Sequence, residues 1–387
     1  MDGPAAQALR ERLVAELVAN GHLPSQRWRD AFRQVPRHEF VPRFFRQLPA
    51  GEYQAVDRAD PDWLETIYTD DVLTTQLDGD DGMWEKALAS PVTAEATSSS
   101  SQPRLMADML EALDVHDGHR VLEVGTGTGF NAALLAHRLG SDHITTVDVD
   151  AGIITRAERV LHRCGYTPTV AAVDGLDGYP PGAPYDRIIA TCSVTAVPAA
   201  WIVQTRAGGL ILTSLYRELP GGALVRLRVD SEGAARGHFL ATFGGFMPAR
   251  VEHYQAALPM LRAALRTKAD DPREPTTISA DTLRHPDFGM VAAALMPGVT
   301  SIGFAPEGGP QFWLLAGDGS WACLEENGGT VTQHGPRRLW DRIEKEYAAW
   351  QAAGRPARDR YGLTVTPDRQ YLWLDEPDGT YSWPMPS

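Results

Sequence analysis

Cysteine is scarce: Cys164, Cys192 and Cys323 are the only three in 387 residues, far apart and without C-x-x-C or Cys/His ligand spacing. That argues against a disulfide framework and against a zinc site, and leaves buried free thiols as the expected state. Long apolar runs are missing as well. Nowhere do eighteen apolar residues follow one another, and the opening MDGPAAQALRERLVAELV is an amphipathic mixture without a signal peptide's apolar core. A cytoplasmic protein with no membrane partner is expected. Positive charge is in deficit: the net charge of −14 argues against nucleic acid, which needs a cationic footprint.

What is present suits two domains with a real core, at 43% hydrophobic and 22% charged residues. Leu9, Leu13 and Leu17 recur every four residues between Pro4 and Gly21, which predicts a helix with one apolar face. Ser25 is placed to cap a second helix reaching Gln34, and PRHEFVPRFF then reads as an extended apolar segment bracketed by prolines. Within Gly51–Lys86 eleven Asp or Glu stand against Arg58 and Lys86 alone, either a solvated surface or an acidic rim for a basic peptide. From Asp78 to Ser101 glycine, acids and serine dominate, and a long loop is expected.

Regular alternation follows. Helix Arg104–Leu113, strand His119–Val124, helix Asn131–Leu139, strand His143–Val149 and helix Gly152–Cys164 come first. Strands TPTVAAV and YDRIIAT, a helix from Pro198 and strand GGLILTSL complete a predicted α/β parallel sheet covered on both faces. ALVRLRV and HFLATF, with no helix between them, are expected to close it as an antiparallel pair. Three regions are expected: N-terminal helices and an acidic loop at 1–95, a cofactor-binding core at 96–250, and an α+β domain at 251–387 that binds a peptide. In the last, the G-D-G-S and Asp378-Gly379 turns mark two hairpins, and Leu339, Ile343, Tyr347 and Trp350 mark one helix face. Tyr371, Trp373, Tyr381 and Trp383 either pack in a core or expose a peptide platform.

VLEVGTGTGF carries the chemistry. A strand delivers Glu123, then Gly125, Thr126, Gly127 and Gly129, and a helix follows at once. Glycines let the backbone turn tightly and approach a ligand, at the strand ends where α/β sheets bind cofactors. The spacing is G-x-G-x-G. A dinucleotide seats its pyrophosphate on a helix N-terminus, whereas S-adenosyl-L-methionine has no phosphate and a cationic sulfonium. Glu123 suits that cofactor's ammonium group, directly or through water. Asp148, nineteen residues beyond Gly129 at the next strand end, can accept both ribose hydroxyls. Asp174 and Gly175 at the third strand end can meet the adenine amine; the alternative is tight turns with capping aspartates.

PRHEFVP, SQP, VLEVGTGTGF, DGLDGYPPGAPYDRIIAT and AGGLILTSL, in that order, resemble the protein-L-isoaspartate O-methyltransferases over roughly Val35 to Pro248, with a poorly matching stretch around 46–95. The resemblance implies a Rossmann-like class I methyltransferase that uses S-adenosyl-L-methionine. In that family the segment resembling TSSSSQP forms the active-site loop, with the serine before Q-P beside the methyl-accepting carboxylate. Ser101 inherits this position, and Ser99 falls where the family usually has threonine. The chain continues about 140 residues further, and PRRLWDRIEKEY, GRPARDRYGLTVTPD and WLDEPDG resemble the branch that accompanies ribosomal peptide maturation in ATP-grasp (graspetide), lanthipeptide and lasso systems. That branch implies an ordinary aspartate, in a precursor peptide cyclised by an ATP-grasp ligase, as the group methylated before closure to aspartimide.

A carboxylate, with a reference pKa of about 4, needs no general base to accept a methyl group. The protein has to align it with the methyl donor and exclude water. A serine orients it without neutralising it as lysine or arginine would. Thr191 is a candidate lining residue, and Arg104 either touches the substrate or lies in solvent. Cys192 as a nucleophile has no histidine near it in sequence. The competing readings are isoaspartyl repair, nucleic-acid methylation, opposed by ATCSV in place of N-P-P-Y, and a non-catalytic peptide scaffold.

Overall fold

The computed structural model describes residues 3–215, 219, 221–249, 257–267 and 272–385. The chain opens with helices α1 (Pro4–Ala19), α2 (Gln26–Gln34) and α3 (Arg37–Phe40). α1 buries Leu13, Val14 and Leu17 along one side, as the leucine spacing requires. Ser25 is the N-cap residue of α2, yet its hydroxyl makes no capping bond; its backbone N–H donates to Glu111. The segment expected to be extended is instead the single turn α3. Pro42 disfavours helical geometry at Val41, so the turn ends at Phe40.

The stretch expected to be a loop is also folded. β1 (Arg43–Gln47), β2 (Tyr53–Asp57), α4 (Trp63–Ile67), β3 (Leu73–Leu77), α5 (Met83–Ala89) and β4 (Ala96–Ser100) build an antiparallel sheet in the order β2-β1-β3-β4. Its acids fall largely in turns and on exposed positions, while Phe45, Tyr53, Leu77, Met83 and Trp84 share one core. The acid-rich composition hid strands of only five residues, too short for a clear alternation.

The expected alternation then appears: α6 (Pro103–Ala112), β5 (Val121–Val124), α7 (Phe130–Leu139), β6 (Ile144–Asp148), α8 (Ala151–Arg163), β7 (Thr169–Ala172), β8 (Tyr185–Val194), α9 (Ala199–Gln204) and β9 (Thr205–Leu215). β5 pairs in parallel with β6 and with β8, and β6 with β7. Every residue of β5 is buried, as a parallel strand covered on both faces demands. Asp150 caps α8 by accepting from the backbone of Gly152 and Ile153.

Two compact units result. The first is Met1–Cys192 with Pro198–Thr213 and Arg228–Gly233; the second is Ser193–Val197 with Ser214–Leu227 and Ala234–Ser387. Residues 1–95 thus group with most of the expected core, while its segments Ser193–Val197, Ser214–Leu227 and the part from Ala234 onward belong to the second unit; the expected start of the tail domain at Val251 lies outside the described residues. The first unit holds the antiparallel sheet, all of β5, β6 and β7 and most of β8 and β9, which run in the order β9-β8-β5-β6-β7.

The tail adds β10 (Ala223–Val229), β11 (Ala235–Phe243), α10 (Ala257–Thr267), β12 (Arg273–Pro275), α11 (Ala280–Arg284), α12 (Pro286–Leu295), β13 (Val299–Phe304) and β14 (Gln311–Ala316). It ends with β15 (Trp321–Glu325), β16 (Thr330–His334), α13 (Leu339–Ala352), β17 (Tyr361–Val365), β18 (Gln370–Leu374) and β19 (Ser382–Met385). β11, expected as a closing strand, is not an edge: it pairs with β17 in the order β19-β18-β17-β11-β10. A second sheet runs β12-β16-β15-β14-β13, and both expected hairpins, β14–β15 and β18–β19, form. Leu339, Ile343 and Trp350 are buried on α13, and Tyr347 is half-buried. Trp373 is buried, Tyr371 and Trp383 are half-buried, and exposed Tyr381 stacks on Trp383. The four aromatics therefore do not share one exposed platform.

Among the described residues no helix is long and apolar enough to cross a membrane, and no group of three or more His, Cys, Asp or Glu is arranged to hold a metal.

Candidate active site

The glycine turn leaves β5 with backbone angles that a side chain would strain: φ is +100° at Gly125, +50° at Gly127 and +82° at Gly129. At Gly125 space is closed too, because an added Cβ would lie 2.7 Å from the Thr191 hydroxyl. Thr191 donates to the Gly125 carbonyl at 2.6 Å, so this expected lining residue braces the turn from β8. The N–H groups of Gly125 and Thr126 both donate to the Val147 carbonyl, at 2.8 and 3.2 Å, which locks the turn to β6.

Beneath it lies a buried polar network. Glu123 is fully buried and accepts from Asn131 at 2.6 Å and from Thr146 at 2.7 Å. The Thr146 proton is thereby committed, so Thr126, 2.7 Å away, donates to Thr146. Burial pushes the Glu123 pKa up to about 7, against the bonds from Thr146 and Asn131 and with the help of the Asp148 charge. Glu123 and the Thr126 side chain, both expected at the cofactor, support the turn from inside. The backbone of Thr126 stays in the glycine loop.

Asp148 ends β6 half-buried, oriented by the N–H of Gly127 on one oxygen at 3.2 Å and by that of Asp150 on the other at 3.1 Å. A carboxylate has about four acceptor sites, so two such bonds are compatible with a hydroxyl pair from a ribose. Asp174 follows β7 and accepts from the Leu176 N–H at 2.9 Å, capping a short turn. Gly175 is buried; a Cβ there would lie 2.4 Å from Val124, and its carbonyl accepts from Trp201. Packing explains Gly175, which leaves Asp174 as the candidate for the polar contact expected at this strand end.

The serines alternate as a strand requires. Ser98 and Ser100 are buried, with hydroxyls accepting from Thr75 and from the Arg37 guanidinium, whereas Ser99 and Ser101 are half-buried on the other parity. β4 lies against the glycine turn: the Ser99 carbonyl is 3.4 Å from where a Gly127 Cβ would be. Arg104 reaches Asp70 at 3.8 Å and is half-exposed. Two residues were missed by sequence reasoning. Buried Gln76 in β3 donates to Asp150 at 3.0 Å, joining the antiparallel sheet to the cofactor strand ends. Buried Arg37 binds the end of the serine strand, and the one signal for it was an arginine inside the otherwise packed PRHEFVP.

The site therefore combines glycine backbone, two oriented carboxylates at successive strand ends and a hydroxyl-bearing strand. Comparison with known proteins decides what it belongs to. The family model of Protein-L-isoaspartate(D-aspartate) O-methyltransferase matches residues 68–219. The protein-L-isoaspartate O-methyltransferase of Ignicoccus hospitalis is 31% identical over 226 residues, covering 58% of this chain and 90% of that protein. The chain belongs to the protein-L-isoaspartate O-methyltransferase family. A relative of the same name from Methanopyrus kandleri is 33% identical over 241 residues, covering 61% of this chain and 90% of its own length. A solved structure entitled protein-L-isoaspartate O-methyltransferase shares the fold, with a TM-score of 0.53 at 22% identity over 95% of this chain and all of that one. Members of this family are S-adenosyl-L-methionine-dependent carboxyl O-methyltransferases, and the expected α/β fold and cofactor are those of the family. The residues fit that cofactor: Gly125 admits no Cβ, Gly127 holds a left-handed backbone, and the loop holds no basic side chain for a phosphate.

Proposed function

We propose that the chain methylates an aspartyl-type carboxylate in a peptide, with an L-isoaspartyl residue as the first substrate. The observation that carries the reading is that Ser99, in β4, and Ser101, just past its end, share one half-buried parity, with the Ser99 carbonyl packed against the glycine turn. When bound, S-adenosyl-L-methionine supplies an electrophilic methyl group on a sulfonium. Gly125, Gly127 and the Thr126 backbone would hold its amino-acid end, Asp148 its ribose and Asp174 its adenine, with Glu123 and Thr191 fixing the turn. Ser101, helped by Ser99, donates to one oxygen of the substrate carboxylate and turns the other toward the methyl. One O–C bond forms and one S–C bond breaks. The relatives' shared name supports isoaspartate as the carboxylate.

A second reading is an ordinary aspartate of a ribosomally made peptide cyclised by an ATP-grasp ligase, its ester then closing to aspartimide. It is favoured by the share of this chain, about two fifths, that those two relatives leave unmatched. It is weakened because the solved isoaspartate enzyme spans 95% of the chain, so an added tail is not peculiar to peptide maturation. Incubation with the cofactor and each peptide in turn separates the two. A gain of one methyl mass on the isoaspartyl peptide alone supports the first reading. The same gain on the cyclised aspartyl peptide alone, or loss of one water from it, supports the second.

A further inference from the structure

Ser101 sits at the corner where β4 gives way to α6, and that corner is gripped from two sides. On one side is Arg37, 1% exposed. Its Nε donates to Ser100 Oγ at 3.4 Å, Nη1 to the carbonyls of Ile67 at 2.8 Å and Thr69 at 3.1 Å, and Nη2 to those of Asp71 at 3.0 Å and Ser101 at 3.2 Å. On the other side is Asp70, from the same loop. Its carboxylate accepts from the Arg104 N–H at 2.7 Å and from the Gln102 amide at 3.2 Å, and its carbonyl accepts from that amide at 2.8 Å.

A guanidinium is a rigid planar fork of five donors. Here every acceptor is a carbonyl or a hydroxyl, so the fork reads the path of two chain segments. The loop after α4 and the chain from Ser100 to Arg104 are thereby held as one piece. Within it the Ser101 carbonyl is tied down, and no partner for the Ser101 hydroxyl is found among the described residues.

We propose that Arg37 and Asp70 are positioning residues for methyl transfer, clamping this corner so that the Ser101 hydroxyl is presented to the substrate carboxylate at a fixed point. The inference rests on the reading of Ser101 given above. Methyl transfer needs a near-attack geometry, and a displacement of about 1 Å can cost about a hundredfold in rate. A clamp that acts only on the acceptor side changes turnover and leaves cofactor affinity alone.

The test compares Asp70→Ala, Asp70→Asn, Arg37→Lys and Ser101→Ala in the full chain, on whichever of the two peptides the wild type methylates. It measures kcat, peptide KM, cofactor dissociation constant and urea midpoint. Asn at position 70 keeps an oxygen for Arg104 and an amide that pairs with a flipped Gln102; Ala keeps neither. Asp70→Ala is expected to lose about tenfold or more in kcat with cofactor affinity unchanged, and Asp70→Asn to recover most of it. Arg37→Lys, which keeps the charge and loses the fork, is expected to fall like Asp70→Ala. If Arg37→Lys does not fold, the Asp70 pair decides. Wild-type kcat in Asp70→Ala alongside a slow Ser101→Ala overturns the clamp, as does cofactor affinity that falls in step with kcat. Wild-type kcat in Ser101→Ala overturns the reading of Ser101, and the clamp falls with it.

Discussion

Glu123 gives the fold a pH dependence that one substitution removes. Its pKa rises from the ordinary 4.5 to about 7, chiefly through burial. At about 1.4 kcal/mol per unit, the difference is about 3 kcal/mol. In the folded protein this acid keeps its proton to a higher pH than in the unfolded chain. Its contribution is therefore complete below pH 4.5, declines as pH rises, and is lost above about pH 7. Glu123→Gln keeps the shape and an oxygen for Thr146, and it cannot ionise. Urea unfolding of the cofactor-free protein at several pH values reads the effect. Between about pH 5 and pH 8 the stability of the variant relative to wild type should grow by about 2 to 3 kcal/mol. A gap that stays constant with pH, or that grows in favour of wild type, would refute the buried-acid argument. Because Glu123 is sealed under the turn, cofactor affinity should change less than in Asp148→Ala.

Asp148→Ala removes the carboxylate oriented by Gly127 and Asp150 and should weaken cofactor binding by about tenfold or more in calorimetry, one charged hydrogen bond contributing about 1.5 to 3 kcal/mol. Gly125→Ala meets the Thr191 hydroxyl at 2.7 Å in a left-handed conformation; it should cost about 1 to 2 kcal/mol in urea unfolding and abolish measurable cofactor binding. Gly175→Ala drives a methyl to 2.4 Å from Val124 and should lower the urea midpoint by an overpacking cost of about 1 to 3 kcal/mol.

The parallel core was legible because its strands, rich in apolar and β-branched residues, alternate with helical patterns and several end at glycine or aspartate, and β5, β6 and β8 fall within a few residues of their expected bounds. Glu123, Asp148 and Asp174 were visible as acids at strand ends. Their division of labour was not, since only the fold shows that Glu123 and Thr126 turn inward to Asn131 and Thr146. The antiparallel sheet at Arg43–Ser100 was hidden by an acid-rich composition and strands of five residues. Arg37 was hidden for another reason: an arginine that binds carbonyls from sequence positions 67 to 101 has no local pattern. In the serine repeat the two candidates, Ser99 and Ser101, are half-buried on one parity, and Ser98 and Ser100 are in the packing on the other.

The most direct test of the central claim is mass spectrometry of a peptide pair, one L-isoaspartyl and one aspartyl, incubated with S-adenosyl-L-methionine and either wild type or Ser101→Ala. The account predicts one added methyl mass on a carboxylate for the wild type, on the isoaspartyl peptide first, and a marked loss in the variant with cofactor binding intact. Methylation at a group other than a carboxylate, or equal yields from wild type and Ser101→Ala, would contradict it.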